Sequence, residues 1–407
     1  MITTFYPPYS FGGDGVFVRQ LSNELVRQGH KVDVIHCIDS YRLLAGQEPT
    51  GTYDDHPDVN IHGLKSRFGL FSPLSTQQTG YPFFKSVRVK QILKKGFDVI
   101  HYHNISLVGG PKILQYGQGI KLYTTHEYWL LCPTHLLYRF KSAVCKKPHC
   151  FLCSLVYGRL PQWWRYSCLL ENSVKHINAF IMLSRFTKDI HHKLGHDIPF
   201  FHLPNFISTE ETASVTSGQP NVEVPEEPYF LFVGRLEKLK GLQTLIPVFH
   251  RYSKALLLIA GRGAYGPHLR KLAKGSAKIR FLGHLSARHL QDLYRRATAL
   301  IVPSVCFEVS PFVIIEAFRE KTPVIVRNIG GMPEIIKESG GGVIYETDEE
   351  LVKAMDQLLA NRPYQSELGL RGYQAYQQNW TAEAYMKRYF ALIHDISVTR
   401  DKCSNEK

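Results

Sequence analysis

Short apolar runs alternate with amphipathic stretches along this chain, and the alternation begins twice. The Thr3-Thr4 region leads into an amphipathic stretch from Val16 to Gln28 and then into the run Lys31 to His36. That is the β-α-β pattern of a parallel sheet. The pattern restarts at Tyr229–Val233 and continues through Ala255–Ala260, Ile279–Leu282, Ala299–Val302 and Pro323–Val326, with helical segments between. These runs are almost continuously apolar, which predicts strands buried on both faces. Two doubly wound α/β units follow.

Between the units, the stretch from Ser208 to Pro228 has almost no large apolar residue and suits a hinge. The predicted organisation is a first domain at 1–206 and a linker at 207–228. A second domain at 229–380, a helix at 381–396 and a polar tail at 397–407 complete it. One element is short: a strand feeding Tyr6-Pro7-Pro8 would hold about four residues, fewer than the usual ~5 to 6. Either that strand is truncated or the recorded start is late.

Composition narrows the class. At ~150 residues per domain, 407 residues allow two or three domains, and 44% hydrophobic content excludes a disordered chain. No apolar run reaches the ~18 to 20 residues of a membrane-spanning helix, and the N-terminus lacks the regions of a signal peptide. The expectation is a soluble or peripheral protein. Eight cysteines are too sparse for a secreted disulfide scaffold, so a reducing compartment is expected. Against 35 Asp and Glu stand 49 Lys and Arg, a net charge of +14 that composition does not assign.

Candidate chemistry lies in turns that follow predicted strands, where open α/β sheets bind ligands. Gly12-Gly13 precedes a helix expected near Gly15, so backbone N–H groups could face an anion. Gly234-Arg235 to Lys240-Gly241 places two cations after a strand, Arg235 as a planar fork and Lys240 as a point charge. A solvated basic loop would read the same way. Gly261-Arg262-Gly263 closes the next strand as a further turn. The sharpest signal is Glu308 and Glu316, two carboxylates eight residues apart, with Pro311 placed to open a helix. Gly330-Gly331, followed by Pro333-Glu334, forms another loop of backbone donors. His126 follows the strand end Thr124-Thr125, while His101 and His103 alternate along one strand as packing or loop-edge residues.

Taken in order, these features resemble the retaining glycosyltransferases of family GT4, with the GT-B fold of two Rossmann-like doubly wound domains facing a central cleft. The matching residues are Tyr6-Pro7-Pro8, Gly12-Gly13, Gly29-His30-Lys31-Val32, Thr125-His126, Ser184-Arg185-Phe186, Pro204-Asn205, Gly234-Arg235, Lys240-Gly241, Leu293-Tyr294, Pro303-Ser304, Glu308 to Glu316 and Gly330-Gly331. They span roughly the first 350 residues. The chain departs from the family in its short first strand, in Ser310-Pro311 where a Phe-Gly-like pair is usual, and in a cysteine-rich insertion at 132–153.

The resemblance implies transfer of a sugar from a nucleotide-diphosphate-sugar donor with the anomeric configuration kept. Arg235, Lys240 and the Gly13 amide would meet the diphosphate, Glu316 the ribose, and Glu308 with Gly330-Gly331 the sugar; Gly12 and Gly263 complete the donor set. His126 would stand near the anomeric carbon. Preorganised cations and amides would stabilise charge developing on the leaving group, and catalysis in that scheme needs no metal or other cofactor. A nucleotide-sugar isomerase or epimerase on the same fold and a non-catalytic nucleotide-sugar sensor are alternatives. A nucleic-acid-binding protein would explain the charge, but zinc-finger spacing, an RNP-like motif and a long basic run are all lacking, so nucleic acid is not an expected partner.

Cys132, Cys145, Cys150 and Cys153 give the spacing C-x12-C-x4-C-x2-C. Four thiolates would suit a closed structural zinc site; disulfides and free thiols are the other readings. Phe68 to Lys95 and Tyr157 to Tyr166 mix aromatic and basic residues. Such surfaces suit an anionic membrane presenting a glycan or lipid-linked acceptor, although Trp163-Trp164 could equally pack into the core. The expected location is cytoplasmic, peripheral on the inner face of the membrane, in cell-surface polysaccharide or glycoconjugate biosynthesis.

Overall fold

The computed structural model describes residues 1–49, 53, 55–193, 199–208 and 224–405. Most of the expected linker, 209–223, lies outside the described residues. The chain forms two units, Met1–Pro204 with Tyr385–Lys407, and Asn205–Ala384. The division falls before the expected boundary at 206, because Ile207 is buried in the core of the second unit and its N–H bonds the Trp380 carbonyl there.

In the first unit, β1 (Val32–Cys37) pairs in parallel with β2 (Val59–Leu64), and β3 (Val99–Tyr102), β4 (Ile120–Thr125), β7 (Ala179–Met182) and β8 (Phe200–His202) form a parallel run in that order. Ile2 bridges Ile35 of β1 and Tyr102 of β3. The first strand is thus reduced to isolated bridging, in the position that gives the spatial order β2-β1-Ile2-β3-β4-β7-β8. A hairpin of β5 (Tyr138–Arg139) and β6 (Ala143–Val144) precedes the helix Cys150–Val156.

The helix Gly13–Arg27 starts before the expected Gly15 and buries Phe17, Val18, Leu21, Leu25 and Val26. That spacing is the apolar stripe of an amphipathic helix. The last helix, Ala382–Asn405, runs past the expected end at 396 and takes in most of the expected tail. Residues 397–405 contain no Gly or Pro to stop it. From Tyr385 onward it belongs to the first unit: Arg388 donates to the His202 carbonyl at 2.6 Å, and the Tyr389 hydroxyl lies 3.1 Å from His101 Nδ1.

The second unit is a six-stranded parallel sheet of β9 (Tyr229–Val233), β10 (Leu256–Ala260), β11 (Ile279–Gly283), β12 (Ala299–Val302), β13 (Val324–Arg327) and β14 (Gly342–Tyr345). Its order is β11-β10-β9-β12-β13-β14. Successive residues of one strand serve opposite cores: Leu231, Leu258 and Leu300 lie in one cluster, Phe230, Phe232 and Ile301 in the other. This two-sided burial explains why the strands read as unbroken apolar runs. The order reverses between β9 and β12, so the loops leaving these strands diverge and open a crevice.

Candidate functional site

The candidate residues fall into one group in each unit. In the second unit the loop after β9 carries Arg235 and Lys240, and the loop after β12 carries Ser304 and Glu308. These are the loops of the switch point. Gly241, at φ +79°, sits so close to β12's exit that a Cβ there would lie 1.9 Å from the Pro303 carbonyl oxygen. Only glycine tolerates that conformation and that approach. The Val305 N–H closes the contact by donating to the Leu239 carbonyl at 2.9 Å.

This packing brings Lys240 Nζ to 2.7 Å from Glu308 Oε1, which also accepts from Ser304 Oγ at 2.7 Å. Burial pushes the Glu308 carboxyl up, but the Lys240 charge and the two hydrogen bonds outweigh it and hold the group below its ordinary value. For Lys240, burial lowers the ammonium and Glu308 more than restores it. Both groups are therefore charged at neutral pH. Arg235 is the more open cation: its guanidinium reaches Glu237 at 2.9 Å and its side chain is 56% exposed. Gly263 packs against the backbone of Leu236, where a Cβ would lie 2.4 Å from the carbonyl oxygen.

Pro311 caps the helix Phe312–Arg319 instead of opening its first turn, since its ψ of 122° is extended. Glu308 remains in the preceding loop and Glu316 lies in the helix. The Glu316 carboxylate accepts from the Tyr294 hydroxyl at 2.8 Å. Burial raises its pKa, and the Tyr294 bond and the Arg319 charge only partly offset this. Gly330 meets the Glu308 backbone at a distance that excludes a Cβ, and the Gly331 N–H donates to the Glu308 carbonyl at 2.8 Å. The Gly331 amide, expected as a donor to ligand, thus fixes the Glu308 loop.

Sequence reasoning left two members of this group without a role, Tyr294 and Ser304. Both stood inside recognisable motifs, but their hydroxyls join the site through contacts across 22 and 4 residues.

In the first unit the group is His126 with Gly12-Gly13. Gly12 caps the helix that Gly13 begins, and Phe17 of that helix meets the His126 ring with centroids 5.3 Å apart. His126 Nε2 lies 3.0 Å from His103 Nδ1, so His103 is a ring partner of the site as well as a buried residue. Burial lowers His126 to about 3 and leaves it neutral. His101 bonds Thr124 Oγ1 and the Tyr389 hydroxyl, and its pKa is also driven down by burial.

Cys132, Cys145, Cys150 and Cys153 are free thiols. They share one neighbourhood: burial, then the nearby Cys132, Cys150 and Cys153, push Cys145 up to about 11. Among the described residues no three His, Cys, Asp or Glu side chains form a group that could hold a metal ion.

A Rossmann-ordered sheet with an ammonium–carboxylate pair at its switch point is the arrangement of a ligand-binding doubly wound enzyme. Residues 217–375 match the family model described as Glycosyl transferases group 1, and residues 11–211 match Glycosyltransferase Family 4. An uncharacterized glycosyltransferase of Methanocaldococcus jannaschii is 26% identical over 89% of this chain and 88% of its own length. Among solved structures, sucrose-phosphate synthase from Thermosynechococcus elongatus superposes with a TM-score of 0.71 at 19% identity, covering 98% of each chain. Anabaena HepE, solved with UDP and glucose, gives 0.64 at 14% identity over 96% of this chain and 98% of its own. The chain belongs to glycosyltransferase family 4, with the GT-B fold of two Rossmann-like domains, and is a glycosyltransferase.

Proposed function

We propose that this enzyme moves a sugar from a nucleotide-diphosphate donor to a glycan or lipid-linked acceptor, retaining the anomeric configuration, in cell-surface polysaccharide or glycoconjugate biosynthesis. The observation that carries the reading is the Lys240–Glu308–Ser304 group at the switch point. HepE, of the same fold, is solved with UDP and glucose. In this reading Lys240 and Arg235 neutralise the diphosphate, whose negative charge grows as the sugar–phosphate bond breaks. Glu316, held by Tyr294, accepts from the ribose hydroxyls.

Glu308 positions the sugar and does not act as a nucleophile. Its Oε1 is engaged by an ammonium and a hydroxyl, which hold the carboxylate in place, and no carboxylate of the matching motifs is assigned as a nucleophile. The acceptor therefore attacks from the face the diphosphate leaves, and the departing phosphate takes the acceptor proton. Within the first unit, His126 is kept as a neutral hydrogen-bonding group. The setting is peripheral on the inner face of a membrane; among the described residues no helix is long and apolar enough to cross one.

The test is incubation with UDP-, GDP- and ADP-sugars, following thermal shift, nucleotide release and the anomeric configuration of product on a glycan or lipid extract. Stabilisation by one donor and an axial-to-axial or equatorial-to-equatorial product support the reading. No donor bound and none consumed, or an inverted product, overturns it.

A further inference from the structure

Two stretches of the first unit contain no acidic residue at all. Residues 59–97 carry seven Lys and Arg and residues 128–170 carry six, so these stretches supply thirteen positive charges in a chain whose net charge is +14. The excess is regional. Within the same stretches two helices are built inside out. The helix Phe71–Thr79 buries Ser72, Pro73 and Thr76 and exposes Phe71 and Leu74. The helix Cys150–Val156 buries Cys153 and Ser154 and exposes Phe151, Leu152, Leu155 and Val156.

A surface helix ordinarily hides its apolar stripe, so these two faces are unpartnered. Phe71 is 75% exposed, Val87 68%, Leu160 66% and Trp163 62%, far beyond a scattered surface leucine. The stretches adjoin. Trp164 is buried and its Nε1 donates to the Gln77 carbonyl at 3.0 Å, tying the turn at Trp163–Tyr166 to the helix Phe71–Thr79. The expected alternatives for Trp163-Trp164 thus divide: the second anchors the surface and the first stands on it. Both stretches carry exposed cations, Lys65, Arg67 and Arg88 in one and Lys141, Lys146 and Lys147 in the other.

We propose that this face docks on an anionic lipid bilayer, with Phe71, Val87, Leu152, Leu160 and Trp163 entering the headgroup region and the exposed cations meeting acidic lipid. Aromatic and aliphatic side chains with flanking Lys and Arg, free of Asp and Glu, are what an interfacial surface requires. A protein partner would not by itself call for two acid-free stretches of this length, whereas a bilayer of uniform negative charge does; the acid nearest the face is Glu171, just past the second stretch, beside Pro161 and Tyr166. The proposal rests on the transferase reading only for what the bilayer would present, an acceptor.

The experiment is flotation of the full chain with vesicles of phosphatidylcholine alone and with phosphatidylglycerol, at low and high salt. Wild type is compared with Leu152→Glu/Trp163→Glu and Phe71→Glu/Val87→Glu, each checked for unchanged donor-induced thermal shift. Binding to the anionic vesicles about tenfold stronger than to neutral ones, weakened by salt and about tenfold by either pair, supports the proposal. Donor binding without vesicle binding, or variants that float like wild type, overturns it and leaves the transferase reading standing. Vesicle binding without any donor bound keeps the proposal while removing that reading. Self-association broken by the same variants, with no vesicle binding, overturns it in favour of a second copy on this face.

Discussion

Lys240 and Glu308 meet at 2.7 Å although 68 residues separate them, because the strands that carry their loops, β9 and β12, are neighbours in the sheet. The pair stores a cation beside the place where the proposed diphosphate binds. Their side chains are 26% and 14% exposed, so the pair is partly desolvated.

Removing one partner separates the catalytic and structural roles. Lys240→Ala is expected to lower turnover by about 10²- to 10³-fold, the range for losing one preorganised group at developing charge. It also leaves Glu308 with Ser304 alone, at a stability loss of roughly 1–3 kcal/mol, less than for a fully buried pair. The pair holds Glu308 below its ordinary 4.5, so its contribution is full above that pH and is lost as pH falls through the lower folded value. Lys240→Ala/Glu308→Gln should therefore recover stability in thermal melts without recovering turnover. A double variant as unstable as the single, or a single with near-normal turnover, contradicts the assignment.

Among the described residues, Tyr294 supplies the hydrogen bond that offsets burial at Glu316. Tyr294→Phe removes that bond at an expected cost of about 1 kcal/mol, which corresponds to roughly a fivefold rise in donor KM. Turnover at saturating donor should change little. The carboxyl, already above 4.5, rises further, so the neutral acid persists to a higher pH. Donor affinity in the variant is thus lost at a higher pH than in wild type as the solution is acidified. A KM-against-pH profile that does not move would show that Glu316 does not meet the donor as a carboxylate.

The strands of the second unit were legible because each is buried on both faces. Tyr229–Val233 and Ala299–Val302 are apolar from end to end and stop at Gly234 and Pro303. β14 was not, because Gly342-Val343-Ile344-Tyr345 is short and opens on glycine. Loop residues became legible through their spacing, as for Glu308 and Glu316, but the partners that fix them did not. Tyr294 reads as a core aromatic, and nothing local reveals that its hydroxyl reaches the next helix. His103 likewise follows the strand pattern of His101, and its bond to His126 depends on pairing between β3 and β4. The exposed helix faces were legible only as stretches mixing aromatic and basic residues; which side chains stand out depends on packing, which buries Trp164 and leaves Trp163 exposed.

The His103–His126 contact makes a prediction about protons. Two imidazole nitrogens 3.0 Å apart share one hydrogen, so one ring donates and the other accepts. His103 Nε2 is buried with no partner among the described residues. A bare nitrogen is tolerated there more readily than an unpaired N–H. This assigns the His103 proton to Nδ1, donating to His126 Nε2, and leaves the His126 proton on Nδ1 as a donor. Because burial lowers His126 to about 3, its ring should stay in that neutral form throughout the working pH range. Nitrogen-15 spectra of the full chain should show His126 as the Nδ1–H tautomer, without titration between pH 8 and about 5. His103→Phe should release the preference and mix the tautomers while the fold persists. An imidazolium signal for His126 near neutral pH would mean that the ring works as an acid, not as a fixed neutral donor.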